Sequence, residues 1–169
     1  MANEIHLETG TPVAVTMTSL NGLITSATSG GAQSAKTDVG ASRAETMLLR
    51  AQIAFSTAPT TGGYVSFYVG FSSISTAASA NPANLSGADA AWTGYANDIA
   101  IAATHLQFVG IIAVSVSTST TVLQLKDVGV FTPLDRYCMV VAINSTSQPI
   151  STTTAANVVT IIPLMDELQ

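Results

Sequence analysis

The chain has 169 residues, of which 47% are hydrophobic and only 9% are charged, and its formal net charge at pH 7 is -5. This acidic balance, with a pI near 4.6, argues against nucleic-acid binding, which requires a basic surface. The length suits a single domain with a sizeable core, and no apolar run approaches the roughly 18 residues that cross a bilayer.

The low charge also indicates how the surface is used. Typical soluble domains contain roughly 25% charged residues, whereas here Ser and Thr, about a quarter of the chain, supply much of the polarity. Hydroxyl groups are buried at lower cost than unpaired ions. The composition therefore suits a surface that is buried against neighbouring subunits. A monomer with a Ser/Thr-rich β surface fits the composition equally well.

The first residues differ from the rest of the chain. Residues 1–11 are polar and aperiodic, so we expect an N-terminal arm that becomes ordered on a partner, followed by one domain over 12–169. No basic segment followed by an apolar core begins the chain, so a signal peptide is not expected. The arm residues that are candidates for partner contact are Glu4, Ile5, His6 and Leu7.

Short strand signals follow the arm. Residues 12–17 alternate apolar and polar side chains, which predicts a first strand. Residues 19–34 are rich in Ser, Thr and Gly and are predicted to form a loop. Residues 35–40 are predicted to form an edge strand whose charged residues, Lys36 and Asp38, face solvent.

The strongest strand signal lies between residues 46 and 72. In the segment 46–55, every second residue from Leu49 is apolar, and the segment 64–72 is rich in aromatic and branched residues. The connection 56–63 contains Pro and Gly, where chains reverse. We therefore predict a β-hairpin with one buried face, and its polar far face makes Arg50 a candidate for partner contact.

The segment 73–104 is predicted to be a long irregular insertion, and loops of this length are usually functional or mobile. Residues 87–92 could form one helical turn. The aromatic residues of the insertion are Trp92 and Tyr95. Trp92 either folds back to cap the core or is an exposed anchor for a partner or a sugar.

The second half of the chain is more regular, with a bulge expected near Asp127 and Gly129. Together with the earlier segments it predicts an all-β, antiparallel β-sandwich of jelly-roll-like type with about seven or eight strands. The remaining strands are predicted at 106–116, 122–131, 136–144 and 157–165.

The titratable residues do not form a recognisable catalytic pattern. His6 and His105 have no neighbours at metal-ligand spacing. We expect Cys138 to be a buried, inert thiol and not a nucleophile paired with His105. We interpret Asp89 and Asp98 as solvated loop acids, in preference to a glycosidase pair or Ca²⁺ ligands. The sequence therefore predicts no enzymatic activity, no metal site and no cofactor.

A polar turn over 132–137 is the one local cluster that stands out. Pro133 presets the turn, and Arg136 can pair with Asp135 or with a carboxylate from elsewhere. We interpret this polar cluster as one that fixes the turn before the strand 136–144. The alternative is that Arg136 forms a salt bridge between subunits.

Several segments resemble a group of small virion proteins of tailed bacteriophages, and together they extend over most of the chain. They are structural strand and turn pieces, so the resemblance brings no catalytic residues. The segments are Met1–Ile5, Ala44–Phe55, Leu106–Gly110, Val128–Tyr137 and Ile162–Glu167.

The resemblance implies a capsid decoration (cement, or auxiliary head) protein. Such a protein would be a homotrimeric β-sandwich, made in the host cytoplasm and bound to the outside of the head through the major capsid protein and its own copies. The alternative is a carbohydrate-binding module that attaches the virion to host glycans, in which Trp92, Tyr95 or Tyr64 would line a shallow cleft.

Overall fold

The fold is taken from a computed structural model, which describes residues 5–25, 30–40, 44–95, 98–114, 122–153 and 156–168. This part of the chain is nearly all β, with two short helical segments, η1 (a 3₁₀ turn) and α1. The elements are β1 (Ile5–Thr9), β2 (Val13–Val15), η1 (Thr18–Leu20), β3 (Gly31–Gln33), β4 (Thr37–Asp38), β5 (Thr46–Phe55), β6 (Tyr64–Ser72), β7 (Ala90–Trp92), α1 (Ile99–Ala103), β8 (Gln107–Ala113), β9 (Val122–Phe131), β10 (Tyr137–Asn144) and β11 (Val158–Leu168).

The strands form two sheets in which every pairing is antiparallel. Sheet A has the order β1-β11-β5-β9, with β2 also paired to β11, and sheet B has the order β7-β3-β10-β6-β8, with β4 also paired to β10. The predicted antiparallel β-sandwich is confirmed. The described residues contain eleven strands because three strands of three to five residues, β1, β3 and β7, were not predicted.

The predicted hairpin between residues 46 and 72 is wrong. β5 pairs with β11 and β9 in sheet A, whereas β6 pairs with β10 and β8 in sheet B. The connection 56–63 therefore crosses from one sheet to the other, and it is longer than the roughly two to five residues of most hairpin loops. The apolar faces that alternation identified oppose each other across the sandwich, where Phe55 and Phe67 are fully buried.

The main core lies between the two sheets and includes Cys138, which is fully buried. Burial raises the pKa of the Cys138 thiol to about 12. His105 is exposed and does not belong to this core. The prediction of an inert thiol is therefore confirmed, and a nucleophile formed by this pair is not present.

The insertion 73–104 packs a second apolar cluster against the outer face of sheet B. Trp92 is 1% exposed, and its indole Nε1 donates a hydrogen bond to the carbonyl oxygen of Ala83 at 2.9 Å. The prediction that Trp92 folds back onto a core is confirmed, and the role of an exposed anchor is wrong. The predicted helical turn at 87–92 is also wrong, because residues 90–92 pair with β3 as β7. The cluster consists of Ala83, Leu85, Trp92, Ile99, Ala102, Leu106, Met139, Val141 and Ile143.

The two sheets meet where β8 and β9 lie side by side. Each strand has a bulge there, since Val109 and Val128 have no partner in the pairing with β6 and β5. The bulge expected near Gly129 is confirmed. The bulge in β8 interrupts the alternation, so Phe108 is 56% exposed whereas Ile112, four residues further along, is buried.

The N-terminal segment also departs from its prediction. Residues 5–9 form β1, which pairs with β11 from Ile5 opposite Leu168 to Thr9 opposite Leu164. One side of β1 is therefore paired within the chain, where an arm ordered only on a partner was expected. Glu4 lies outside the described residues.

Candidate functional site

The outer faces of the two sheets differ in their covering. The insertion covers much of sheet B through the second cluster. On sheet A, the alternate residues of β5, β9 and β11 that point away from the core retain exposed side chains. We call this surface the A face and define it by Leu48, Arg50, Gln52, Asp127, Val130 and Val158.

The A face contains exposed apolar side chains on adjacent strands. In the strand register, Leu48 lies between Val130 of β9 and Ile162 of β11. Val130 is 57% exposed, Leu48 is half-buried and Ile162 is buried. Val158, two rows further along β11, is 45% exposed. Exposed apolar side chains on adjacent strands are typical of a surface that contacts another protein.

One ion pair lies next to the apolar row. The Arg50 guanidinium donates to both carboxylate oxygens of Asp127, with an Nη2–Oδ2 distance of 3.2 Å. This hydrogen bonding raises the pKa of Arg50 and lowers the pKa of Asp127. Both side chains are about half exposed, so the pair contributes little stability in water, but it lets the A face carry two charges without a net charge.

The residues predicted as contact candidates are not brought together. Arg50 lies on the A face, whereas Trp92 is buried beyond sheet B and Tyr95, 39% exposed, lies beside it in the insertion. The Tyr95 hydroxyl accepts a hydrogen bond from the Ala83 amide, and its ring contacts His105 edge-on. The backbone of Ile5, His6 and Leu7 lies in β1.

Arg136 forms its ion pair within the chain. Its Nη2 donates to the Asp38 carboxylate at 2.8 Å and its Nε donates at 3.1 Å, and this pairing raises the pKa of Arg136. The interpretation as a cluster that fixes the turn stands, but the partner comes from β4 and not from Asp135. The ion pair of Arg136 that the structure contains is therefore an intrachain one.

Lys36 does not face solvent as predicted. Its ammonium group is held by acceptors in the segment that follows β6, so this residue fastens the start of the insertion to β4. The acceptors are Ser72 Oγ and the carbonyl oxygens of Ile74, Thr76 and Ser79, all at 2.7–2.8 Å.

Both loop acids of the insertion accept hydrogen bonds from backbone amides, and Asp98 is exposed, as expected of a solvated acid, whereas Asp89 is half-buried. Asp98 accepts a hydrogen bond from the Ile101 amide and caps α1. Asp89 accepts from the amides of Thr18 and Ser19, at 2.6 and 2.8 Å, and joins the insertion to η1. Burial raises the pKa of Asp89, but these hydrogen bonds outweigh burial and leave the pKa below its ordinary value.

Replacing Asp89 with asparagine should lower the free energy of unfolding by about 1–2 kcal/mol at pH 7, because the Thr18 and Ser19 amides donate to its two oxygens and asparagine has only one acceptor oxygen. Because the folded-state pKa is depressed, the contribution of Asp89 is present above the unfolded-state pKa and is lost as the pH falls through the folded-state value. Urea unfolding of both proteins from pH 7 to 3 measures this. A difference that grew towards acid pH would contradict the assignment.

A cleft outside the A face was not foreseen from the sequence. It brings His105 and Gln107 together with Asp135, which lies far from them in the chain. Among the described residues, no group of three or more His, Cys, Asp or Glu side chains is placed to bind a metal ion. The part of the chain that the structure describes also contains no helix that is long and apolar enough to cross a bilayer.

Comparisons of the chain with protein-family models, with curated proteins and with solved structures found no significant match.

Proposed function

We propose that this chain is a virion structural protein that decorates and stabilises the outside of a tailed-phage capsid. It acts as a homotrimer that contacts the major capsid protein and neighbouring copies without covalent bonds. The observation that carries the proposal is the A face, where exposed Val130 and Val158 flank the ion pair of Arg50 with Asp127.

The composition of the A face suits permanent contact with a shell. Burial of its apolar side chains lowers the free energy of the complex by about 25 cal/mol per Å² of apolar surface. The single pair between Arg50 and Asp127 is already matched, so docking does not leave an unpaired charge buried. A paired guanidinium and carboxylate also fix orientation, which a purely apolar surface does not.

Stabilisation of the shell then follows from mass action. A protein that binds the assembled capsid and not its free subunits shifts the equilibrium towards the assembled state. Three A faces in one trimer engage neighbouring capsid subunits together, so modest single contacts add through avidity. Neither step requires catalysis.

The N-terminal segment keeps a contact role in modified form. β1 already forms the edge of sheet A through its pairing with β11. The side of β1 that faces away from β11 is where a strand of a neighbouring copy could add, as in other strand-addition interfaces. Ile5, His6 and Leu7 therefore belong to the proposed contact between copies.

Replacing Val130 with aspartate should weaken binding to empty phage heads at least about tenfold, because docking would bury an unpaired carboxylate. Ile101 in α1 is the matched control, since both side chains are 57% exposed and Ile101 lies in the insertion on the other side of the sandwich. I101D should bind as the parent does. Co-sedimentation of each protein with heads gives the affinity, and circular dichroism confirms folding.

The same sedimentation experiment tests the other parts of the proposal. The parent protein alone should sediment as a trimer. A strictly monomeric protein that does not bind heads would overturn the proposed function. Loss of head binding in I101D but not in V130D would instead place the insertion, and not the A face, against the shell.

The carbohydrate-binding alternative has lost its main anchor, because Trp92 is buried. None of the six residues that define the A face is aromatic, so the A face offers no ring on which a sugar could stack. We therefore do not adopt glycan attachment as the primary function.

A further inference from the structure

The dipeptide Asn21-Gly22 lies in the turn that follows η1, and it is the one Asn-Gly sequence in the chain. In an unfolded chain such a dipeptide deamidates readily, because glycine has no side chain that hinders attack by its own nitrogen and its backbone rotates freely. The Gly22 nitrogen loses its proton and bonds to Cγ of Asn21, and the side-chain amide leaves as ammonia. Water then opens the five-membered imide at either carbonyl group, which gives aspartate or isoaspartate.

Both residues of this dipeptide are used by the fold. Gly22 has a φ angle of 73°, in the left-handed region that disfavours residues with a side chain. The Oδ1 atom of Asn21 accepts a hydrogen bond from Nδ2 of Asn157 at 2.8 Å. Replacing either residue removes one of these features, so the turn retains a sequence that is chemically labile.

The backbone conformation of Asn21 opposes the reaction. Closure of the imide ring requires Cβ of Asn21 and the nitrogen of Gly22 to eclipse across the Cα–C bond, which corresponds to a ψ angle of about −120°. The ψ angle of Asn21 is 125°, far from that value. The Gly22 N–H also donates to the carbonyl oxygen of Ser151 at 3.2 Å, so rotation of Asn21 towards the reactive conformation breaks this hydrogen bond.

Asn157 connects the turn to the segment that it packs against. Its Nδ2 donates to Oδ1 of Asn21 and to the Ser151 carbonyl oxygen, which is the acceptor of Gly22 as well. Its Oδ1 accepts from the Ala54 amide of β5 at 2.9 Å. Asn157 is buried, so water competes little for these hydrogen bonds. The side chain of Asn157 therefore opposes any movement of Asn21 away from Ser151.

We propose that Asn21 is a latent deamidation site and that Asn157 keeps it in an unreactive conformation. Asn21 reacts only when the turn opens locally, so its rate of modification follows the population of the open turn. Isoaspartate adds a methylene group to the main chain, and the turn cannot then regain its original hydrogen bonds. Each reaction therefore leaves a permanent record of an opening event. This inference goes beyond the proposed capsid function and does not depend on the A face.

The test follows deamidation of the full chain at mildly alkaline pH. Peptide mapping by mass spectrometry detects the exchange of the side-chain NH₂ for OH at Asn21 and separates aspartate from isoaspartate. The same chain unfolded in urea gives the rate of the open dipeptide, and the folded parent should react at least about tenfold more slowly. Hydrogen exchange of the Gly22 amide reports the opening of the turn independently, and the two rates should change together.

Two variants test the role of Asn157. Asn157→Ala removes all of its hydrogen bonds, whereas Asn157→Asp keeps the acceptor for the Ala54 amide and removes the donor to Asn21. Each should accelerate deamidation of Asn21 in the folded protein about tenfold, because the open turn gains in population when a buried hydrogen bond is lost. Circular dichroism confirms that each variant is folded. N157D decides the test if N157A does not fold.

Asn81→Ala is the matched control. The Nδ2 atom of Asn81 also donates to two carbonyl oxygens, those of Ala77 and Leu85, but these lie in the insertion. N81A should therefore deamidate at Asn21 as slowly as the parent does.

Three outcomes would overturn the proposal. Equal rates in the folded and the urea-unfolded parent would show that the fold does not protect Asn21. Unchanged rates in the folded Asn157 variants would remove the role of that side chain. An equal acceleration in N81A would show that general loss of stability, and not the hydrogen bonds of Asn157, controls the reaction. None of these results bears on the V130D experiment, so the two proposals fail independently.

Discussion

Replacing Trp92 with alanine is expected to lower the free energy of unfolding by about 4 kcal/mol, the usual cost of removing a fully buried aromatic side chain. Trp92 is 1% exposed and lies in the cluster that includes Met139, Val141 and Ile143 of β10. The loss should be global, because the other face of β10 contributes Val140 and Ala142 to the main core.

Two further variants separate the causes of this loss. Trp92→Phe retains most of the apolar surface but removes the donor to the Ala83 carbonyl, so it should cost about 1–2 kcal/mol. Tyr64→Ala, at a side chain that is 42% exposed, should cost less than about 1 kcal/mol. Because the chain contains one Trp, unfolding in urea must be followed by circular dichroism and not by tryptophan fluorescence. A cost below about 1 kcal/mol for W92A would contradict a structural role.

The sequence was most informative about individual strands. β9 agrees with the predicted 122–131, and β10 differs from the predicted 136–144 by one residue, because long segments with apolar residues on one or both faces are hard to interpret in any other way. The bulge near Gly129 was also predictable, since glycine and a charged residue interrupt an apolar run there.

The pairing of the strands could not be predicted from the sequence. Alternation in β5 and β6 shows which side chains are buried, but it does not show whether the neighbouring strand lies in the same sheet or across the core. β3 was missed because its three residues, Gly31–Gln33, have little preference for strands. β1 was missed although Ile5 and Leu7 alternate with His6 and Glu8, because five residues within a polar segment give only a weak periodic signal.

The second apolar layer did leave a trace in the sequence. β10 is buried on both faces, so Met139, Val141 and Ile143 required a covering layer on the side away from the main core. Trp92 was the largest aromatic side chain in the long insertion. The cleft had no comparable signal, because residues such as His105 and Asp135 meet only once the strands are placed.

The junction of the two sheets provides the second large effect. A Cβ atom added at Gly129 would overlap the carbonyl oxygen of Val109, and one added at Gly110 would overlap that of Val128. These contacts are between backbone atoms, so a rotamer change cannot relieve them. Glycine is therefore required where the bulged strands β8 and β9 approach each other.

Gly129→Ala should consequently lower the free energy of unfolding by about 3 kcal/mol, at the upper end of the usual cost of overpacking. Gly30→Ala is the matched control, because its added Cβ would meet its nearest neighbour, the Trp92 carbonyl oxygen, at 3.8 Å. It should be neutral or stabilise by up to about 1 kcal/mol through the unfolded state. In G129A, amide exchange should accelerate at β8 and β9 before it does at β10, since the strain is local. Equal stability of the two variants would show that β8 and β9 do not approach each other this closely, which would contradict the junction of the two sheets described above.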